Sequence, residues 1–321
     1  MKVAEGLGFM SKLLLIDADT ILYAAASQQQ TNKCLATNIE QDRKKMFESK
    51  TAFNNWAKEN NRDKTNYSFE TVSEISGEPR FAFQTIKQKI DNIVSVADCS
   101  DYRVCIQGDG NFRKFYESKF VDYKGQRGAK PLLFQECFDY MVKKYKDRCV
   151  VSVGQETDDY VNIEAWESYN VAKKARKQEE ATVVVSYVDK DIPANGRGFF
   201  LNYNKLDAGV FWQDEFNQAK EFWTQVLVGD NADNIPGLEV LSPITKERFK
   251  VKTTSVGPVA AQKILEGLKT EKQMAERVAD CYSASHEEDW EQRLQDNCFF
   301  LYLRRKPDEM FNVWEYMETL K

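Results

Sequence analysis

Apolar residues are spread along this chain in two rhythms. Four short runs dense in Leu, Val and Ile, KLLLID (12–17), RVCIQGD (103–109), CVVSV (149–153) and ATVVVSYVDKD (181–191), are too short for helices and lack polar alternation, so they predict buried strands. Each runs into carboxylates at its C-terminal end. Between them the spacing is helical: at 20–27, at 81–96 with Phe83, Ile86, Ile90, Ile93 and Val94 on one face, at 132–145, and at 161–174 with Val161, Ala165, Tyr169 and Ala172 in a stripe. Strands alternating with helices predict an α/β fold, a mostly parallel twisted sheet covered by helices. From residue 214 onward the pattern is helical throughout, with Phe216, Ala219, Phe222, Trp223 and Val226 on one face, a turn at 229–237, a helix at 258–266 and polar helices to about residue 304. The change of rhythm predicts two domains, 1–228 and 229–321. Residues 28–79 are polar and mixed in pattern, with NNRDKTNYS and SGEP as breakers, and read as an insertion with modest structure of its own.

Composition narrows the chemistry. The 321 residues are 42% hydrophobic and 30% charged, and no apolar run approaches the ~18 residues of a membrane span. The N-terminal MKVAEGLGFMSK has no signal-peptide core, so a cytoplasmic protein is expected, without a membrane partner. The seven cysteines form no CxxC pair and read as reduced thiols rather than as disulfides or a zinc site. His286 is the one histidine. Multi-histidine metal sites are therefore excluded, and its polar surroundings, SASHEED, mark it as an ordinary surface or helix-start residue. Chemistry falls to carboxylates, lysines, arginines, tyrosines and hard metal ions.

The overall charge of -5 conceals a division. Residues 111–148 hold ten Lys+Arg against five Asp+Glu, interleaved with Phe112, Phe115, Tyr116, Phe120 and Tyr123, and residues 242–272 hold seven against three. Either segment alone is as readily a solvated helix face as a phosphate-binding surface. Both together, in an acidic protein, suggest a phosphate-binding surface around an acidic centre. That centre comprises nine carboxylates at five places: Asp17 in LLLIDADT, Asp109 in IQGDGNFR, Glu156, Asp158 and Asp159 in VGQETDDYV, Asp189 and Asp191 in VVVSYVDKDI, and Asp230 and Asp233 in LVGDNADNIPGL. One such residue is ordinarily a helix cap or a solvated turn. Five places at the carboxyl edges of strands are where α/β sheets gather ligand groups. So many anions in one cleft repel unless cations are bound, and two Mg²⁺ or Mn²⁺ ions with oxygen ligands, clamping a phosphodiester, are the physical resolution.

In order, these segments resemble the 5′-nuclease superfamily: flap endonucleases, the 5′-nuclease domains of bacterial DNA polymerase I, and bacteriophage 5′→3′ exonucleases, the last most of all. The resemblance runs from about residue 11 to residue 267. LLLIDADTILY resembles the first strand with its metal-binding aspartate, and IQGDGNFRKFYESKFVDYKGQR the second aspartate strand followed by a helical arch, here about 111–148. GQETDDYV resembles the acidic helix start, VSYVDKDI the D-x-D strand end, GDNADNIPGL the turn that opens the DNA-binding helices, and SVGPVAAQKILEG (255–267) a helix-hairpin-helix-type element. The resemblance implies a PIN-like 5′-nuclease core whose nine carboxylates hold two metals directly or through water. It implies that Lys124, Arg127 and Arg113 contact the scissile phosphate and that Tyr123 stacks on a base. It further implies DNA contacts at Lys114, Lys119, Lys130, Ser255, Gly257 and Lys263, with a K⁺ ion at the hairpin.

Three features depart from the family pattern. The turn between Asp109 and Arg113 is short, residues 238–254 intervene before the hairpin, and the insertion 28–79 has no counterpart. The expected activity is metal-dependent 5′→3′ exodeoxyribonuclease action with flap-endonuclease-like and RNase H-like, RNA-primer-removing activity. The partner would be DNA with a 5′ end, nick or flap, or an RNA–DNA hybrid, met by a monomer in phage replication or recombination, in the host cytoplasm. One alternative is a haloacid-dehalogenase-like phosphatase, in which LLLIDADT supplies Asp17 as nucleophile, Asp19 as acid/base and Thr20 as a phosphate contact. It leaves GQETDD and the basic segments unexplained. Another is a structure-specific DNA-binding protein without catalysis, which predicts missing carboxylates where none is missing.

Overall fold

In the computed structural model, which describes residues 11–125, 128–286 and 288–321, the chain forms nine strands and twelve α-helices among the described residues. They fall into two compact units: Met1–Asp19, Asn92–Gly128 and Asp147–Lys321 in the first, Thr20–Asp91 and Ala129–Lys146 in the second.

The first unit is built on a six-stranded sheet. Its strands are β1 (Leu13–Asp17), β5 (Asp101–Gln107), β6 (Cys149–Ser152), β7 (Val183–Tyr187), β8 (Gly198–Asn202) and β9 (Phe211–Gln213), in the order β6-β5-β1-β7-β8-β9. All pair in parallel except β9, which runs antiparallel to β8. The four strands read from the sequence are present; β8 and β9 extend the sheet beyond them. β1 lies between β5 and β7, with Leu13 opposite both Asp101 and Val183. The chain fills one side with β5 and β6 and then returns to lay β7 on the other, so the strand order reverses at the β1/β7 seam. Such a seam opens a crevice beyond the carboxyl ends of the strands. Helix α5 (Thr157–Ala175) packs across the sheet, its Val161 and Ala165 meeting Leu15, Val185 and Phe200.

The short α6 (Asp191–Asn195) joins β7 to β8, and helices follow the sheet: α7 (Glu215–Val228), α8 (Pro243–Phe249), α9 (Pro258–Ile264), α10 (Glu271–Ser285), α11 (Trp290–Leu301) and α12 (Val313–Thr319). The expected boundary near residue 228 falls inside this unit. The reason is packing: Ala219, Phe222, Trp223 and Val226 of α7 share one apolar cluster with Leu238, Ala261, Val278, Tyr282, Leu294 and Phe300. α8 lies within the 238–254 insertion. His286 ends α10, its ring beside Tyr282.

The second unit contains the insertion, and it is folded. Strands β2 (Gln30–Asn38), β3 (Arg43–Phe47) and β4 (Tyr67–Ile75) form an antiparallel sheet in the order β3-β2-β4, and α2 (Lys50–Glu59) packs on one face. Its small core is aromatic: Phe53 is fully buried beside Ala36 and Ala57, with Phe47, Tyr67 and Phe69 in edge contact around its ring. The unit also holds most of α1 (Asp19–Ser27) and α3 (Pro79–Ala97), and all of α4 (Phe134–Tyr145), where Phe83 stacks on Tyr140.

The expected helical arch over 111–148 is corrected by the structure. Among its described residues, a short 3-10 turn at Phe112–Phe115 precedes irregular chain, and α-helix begins only at Phe134. Gly125, Gly128 and Pro131 oppose helix propagation, and Arg113, Tyr116, Val121 and Tyr123 dock individually instead. A cavity test follows from the small aromatic core. Phe53→Ala should destabilise by about 3–5 kcal/mol in urea unfolding; a loss below ~1 kcal/mol would contradict a packed core there.

Candidate active site

Six carboxylates crowd the β1/β7 seam. Asp17 is the last residue of β1, nearly fully buried, and one of its oxygens accepts from the Asp19 backbone N–H at 3.4 Å. Asp19, which the sequence reading set aside, turns back toward the sheet: its Oδ1 accepts from the Gln107 N–H at the end of β5, at 2.9 Å. Asp158 stands in the first turn of α5, Asp189 just beyond β7, and Asp191 opens α6. Asp230 closes the group from the turn after α7.

That turn has a local cause. Gly229 and Gly237 both adopt positive φ, at 76° and 66°, and a Cβ on Gly229 would lie 2.3 Å from the Ile235 carbonyl oxygen. Only glycine permits this approach. Asp230 and Ile235 exchange backbone hydrogen bonds of 2.8 Å, and Asp230 Oδ1 caps the Ala232 N–H at 2.7 Å, while Oδ2 faces Lys190.

The consequence is electrostatic tension. Burial, then repulsion from Asp19 and Asp189, holds the Asp17 carboxyl well above the ordinary carboxylate range. Asp158 is raised likewise, by burial and then by Asp17 and Asp189. Asp191 is pushed up to about 8 by burial and then by Asp189 and Asp230. Asp19 and Asp189 are also raised, desolvation coming first in both. Cations sit at the margins: Lys190 Nζ is 3.0 Å from Asp230 Oδ2, and Lys124 Nζ bonds Glu156 Oε1 and lies 3.6 Å from Asp233 Oδ2. Gln225 Nε2 donates to Asp191 Oδ1.

The remaining sequence candidates divide sharply. Asp159 is wholly buried and fully engaged: Oδ1 accepts from Arg113 Nη2 (2.8 Å) and the Arg304 N–H (3.0 Å), Oδ2 from Arg113 Nη1 (2.6 Å) and the Glu156 N–H (3.2 Å). It has no oxygen to spare for a metal. Arg113, 1% exposed, also donates to Glu156 Oε2 at 3.2 Å and to the Tyr302 carbonyl at 2.6 Å, and as placed it reaches no phosphate. Burial would raise Glu156, but Arg113 and Lys124 outweigh it and keep its carboxyl below the usual range. Tyr123 donates to Glu156 Oε2 at 2.8 Å and stacks on Phe300 at 4.8 Å, so one ring face and the hydroxyl are already committed. Asp109 lies exposed two residues beyond β5, with its backbone carbonyl accepting from Gly154. Arg127 lies outside the described residues.

Of the basic and hairpin candidates, Lys114, Lys119, Ser255 and Lys263 are exposed and Gly257 precedes α9, all in the first unit. Lys130 is in the second unit, with its ammonium 4.2 Å over the Phe134 ring. Asp19 and Lys190 are the members that sequence reasoning missed. Asp19 follows Asp17 at a spacing of two, and Lys190 stands between Asp189 and Asp191, so both lay inside motifs already marked.

Among the described residues no three of these acids close into a compact ligand set. They neighbour one another as an open, oxygen-only nest, which suits hard divalent ions that keep several waters.

The two adjacent aspartates of α5 should respond oppositely to neutralisation. Asp159→Ala strands the buried Arg113 charge and should cost about 3–5 kcal/mol, whereas Asp158→Ala relieves repulsion and should cost little or raise the melting temperature. Urea and thermal unfolding of both variants, without divalent ions, check the pair; equal losses would refute the division.

No family model matches the chain, and no curated protein matches it. Three of the similar solved structures are of bacteriophage T5 proteins. A T5 protein co-crystallised with metal ions is 11% identical over 90% of this chain and 99% of its own, with a TM-score of 0.39. A variant of T5 5′-exonuclease is 11% identical over 91% of this chain and 99% of its own, with a TM-score of 0.37. A T5 flap endonuclease in a pseudo-enzyme–product complex with DNA and metal ions is 12% identical over 68% of this chain and 90% of its own, with a TM-score of 0.35.

Proposed function

We propose that this chain is a divalent-metal-dependent 5′-nuclease, a hydrolase that cleaves DNA phosphodiesters near 5′ ends. In the finer reading it is a 5′→3′ exonuclease with flap-type activity that also removes RNA primers from hybrids, acting as a monomer in phage replication or recombination. One observation carries the proposal: Asp17, Asp19, Asp158, Asp189 and Asp191 are crowded, with Asp230 beside them, at the switch point of a parallel sheet, and Lys190 on Asp230 and Lys124 meet their mutual repulsion from the margins. Folding alone disfavours such a group, whereas bound divalent cations stabilise it.

The donor set fits that role. Asp17, Asp158, Asp189, Asp191, Asp230 and Asp233 would hold the ions, directly or through water. When bound, Mg²⁺ or Mn²⁺ activates water and offsets charge developing on the phosphodiester. The protein's own side chains do the rest. Lys124 is fixed between Glu156 and Asp233, and its backbone N–H donates to the Asp233 carbonyl at 2.9 Å, so its ammonium is positioned beside the nest to donate to a phosphate oxygen. Glu156, held ionised by Arg113 and Lys124, orients that lysine together with Tyr123. Exposed Lys114, Lys119 and Lys263 supply sequence-independent contacts to the backbone of DNA.

Cleavage of a 5′-labelled duplex with a short 5′ flap, in Mg²⁺ or EDTA and beside p-nitrophenyl phosphate, tests the proposal. Mg²⁺-dependent short 5′ products without phosphatase turnover are expected. Turnover of the phosphatase substrate on its own would make Asp17 a nucleophile instead. Asp158→Ala and Asp189→Ala should abolish cleavage and leave DNA binding intact. Lys124→Ala should lower kcat about 10²-fold with little change in KM; a change confined to KM would remove Lys124 from the chemical step.

Acidity gives a further check. Asp17, Asp158 and Asp191 titrate higher in the fold than in the unfolded chain, so their favourable contribution is complete below about pH 4 and is lost as pH rises through the folded values, about 8 for Asp191. In EDTA these groups should therefore make the protein melt higher near pH 6 than near pH 9. Mg²⁺ should raise the melting temperature more at pH 9 than at pH 6; an equal increment at both would speak against ions at these carboxylates.

A further inference from the structure

Between Asn111 and Lys124 the aromatic and aliphatic side chains dock almost without exception: Phe112, Tyr116, Phe120, Val121 and Tyr123 all pack. Arg113 enters the buried ion pair, Val121 joins the apolar core, and Tyr116 stacks on Phe299 at 3.9 Å while its hydroxyl donates to Asp296 at 2.9 Å. Asn111 fixes the intervening turn by accepting from the Arg113 N–H through its side chain, at 2.9 Å, and from the Lys114 N–H through its carbonyl, at 3.1 Å. Phe115 is the exception. It is 85% exposed, the most exposed large apolar side chain among the described residues, on a backbone whose neighbours hold it still.

A lone exposed apolar residue is ordinary, but the setting of this one is not. It stands two residues from Arg113, whose guanidinium touches the same Glu156 that grips Lys124. Exposed Lys114 and Lys119 flank it. Tyr123, the other aromatic candidate of this segment, already has one face on Phe300. A free aromatic face beside ammonium groups matches a nucleobase with its phosphate, since stacking accepts any base and lysine any phosphate.

We propose that Phe115 is a base-stacking platform that takes an unpaired nucleobase beside the 5′ end being processed, with Lys114 on the adjoining phosphate. The inference rests on the nuclease reading for its substrate and is tested apart from cleavage. A duplex with a 5′ flap carrying 2-aminopurine at its first unpaired position is titrated with protein in EDTA. Wild type should quench the fluorescence. Phe115→Ala should lose the quenching and bind about tenfold more weakly, Phe115→Tyr should restore both, and neither should shift the melting temperature, because no packed side chain is removed. Equal quenching by wild type and Phe115→Ala, or binding by wild type without quenching, would overturn the platform. Quenching through Phe115 in a protein that releases no 5′ products with Mg²⁺ would keep the platform and remove the nuclease reading. Cleavage with Phe115-independent quenching would do the reverse, and wild type that binds no DNA would overturn both.

Discussion

A single buried guanidinium joins the parts on which the site depends. Arg113 comes from the chain after β5, Asp159 and Glu156 from the start of α5, and the Tyr302 carbonyl from the stretch after α11. Arg304 completes the junction by donating its backbone N–H to Asp159 at 3.0 Å and laying its own guanidinium over Phe112 at 3.6 Å. A buried charge left without its partner is far costlier than an exposed one. The three segments are consequently held together, and with them the positions of Tyr123 and Lys124 on Glu156.

Beside this neutralised junction the protein keeps an unneutralised one. Asp158 and Asp159 are consecutive, yet helical geometry turns neighbouring side chains about 100° apart. Asp159 meets a guanidinium, and Asp158 meets Asp17 and Asp189. The ion pair stabilises the fold, while the repelling set stores unfavourable energy at the mouth of the sheet. Sites of this kind trade stability for chemistry. Here the trade lies between adjacent residues of one helix turn, and Gly229 and Gly237 add Asp230 to the repelling set through a turn that no other residue permits.

Much of the scaffold was legible. KLLLID, RVCIQGD and the VVVSY part of the fourth run became inner parallel strands because uninterrupted β-branched and aliphatic runs are satisfied by burial on both faces, whereas CVVSV became the edge strand, with Val151 and Val153 exposed. Less legible was the stretch after Asp109. The resemblance implied an arch of helix there, but docking of Arg113, Tyr116 and Tyr123 overrides helix formation. The polar run 28–79 hid a folded sheet, since its core needs little more than Ala36, Phe53 and Ala57 with rim aromatics, too few apolar positions to show a period.

The sequence by itself determined the kinds of group available: one histidine, unpaired cysteines, and acids placed after strands, which leave oxygen-ligand and cation chemistry as the repertoire. Only the tertiary structure decided which acids face one another. Asp159 and Arg113 looked like site residues and became each other's partners, Asp109 stayed at the surface, and Asp19 entered the crowd through the Gln107 N–H. Residue type fixes charge and hydrogen-bonding capacity locally, but whether a carboxylate ends beside a guanidinium or beside another carboxylate depends on contacts between residues as far apart as 113 and 302, which no local pattern encodes.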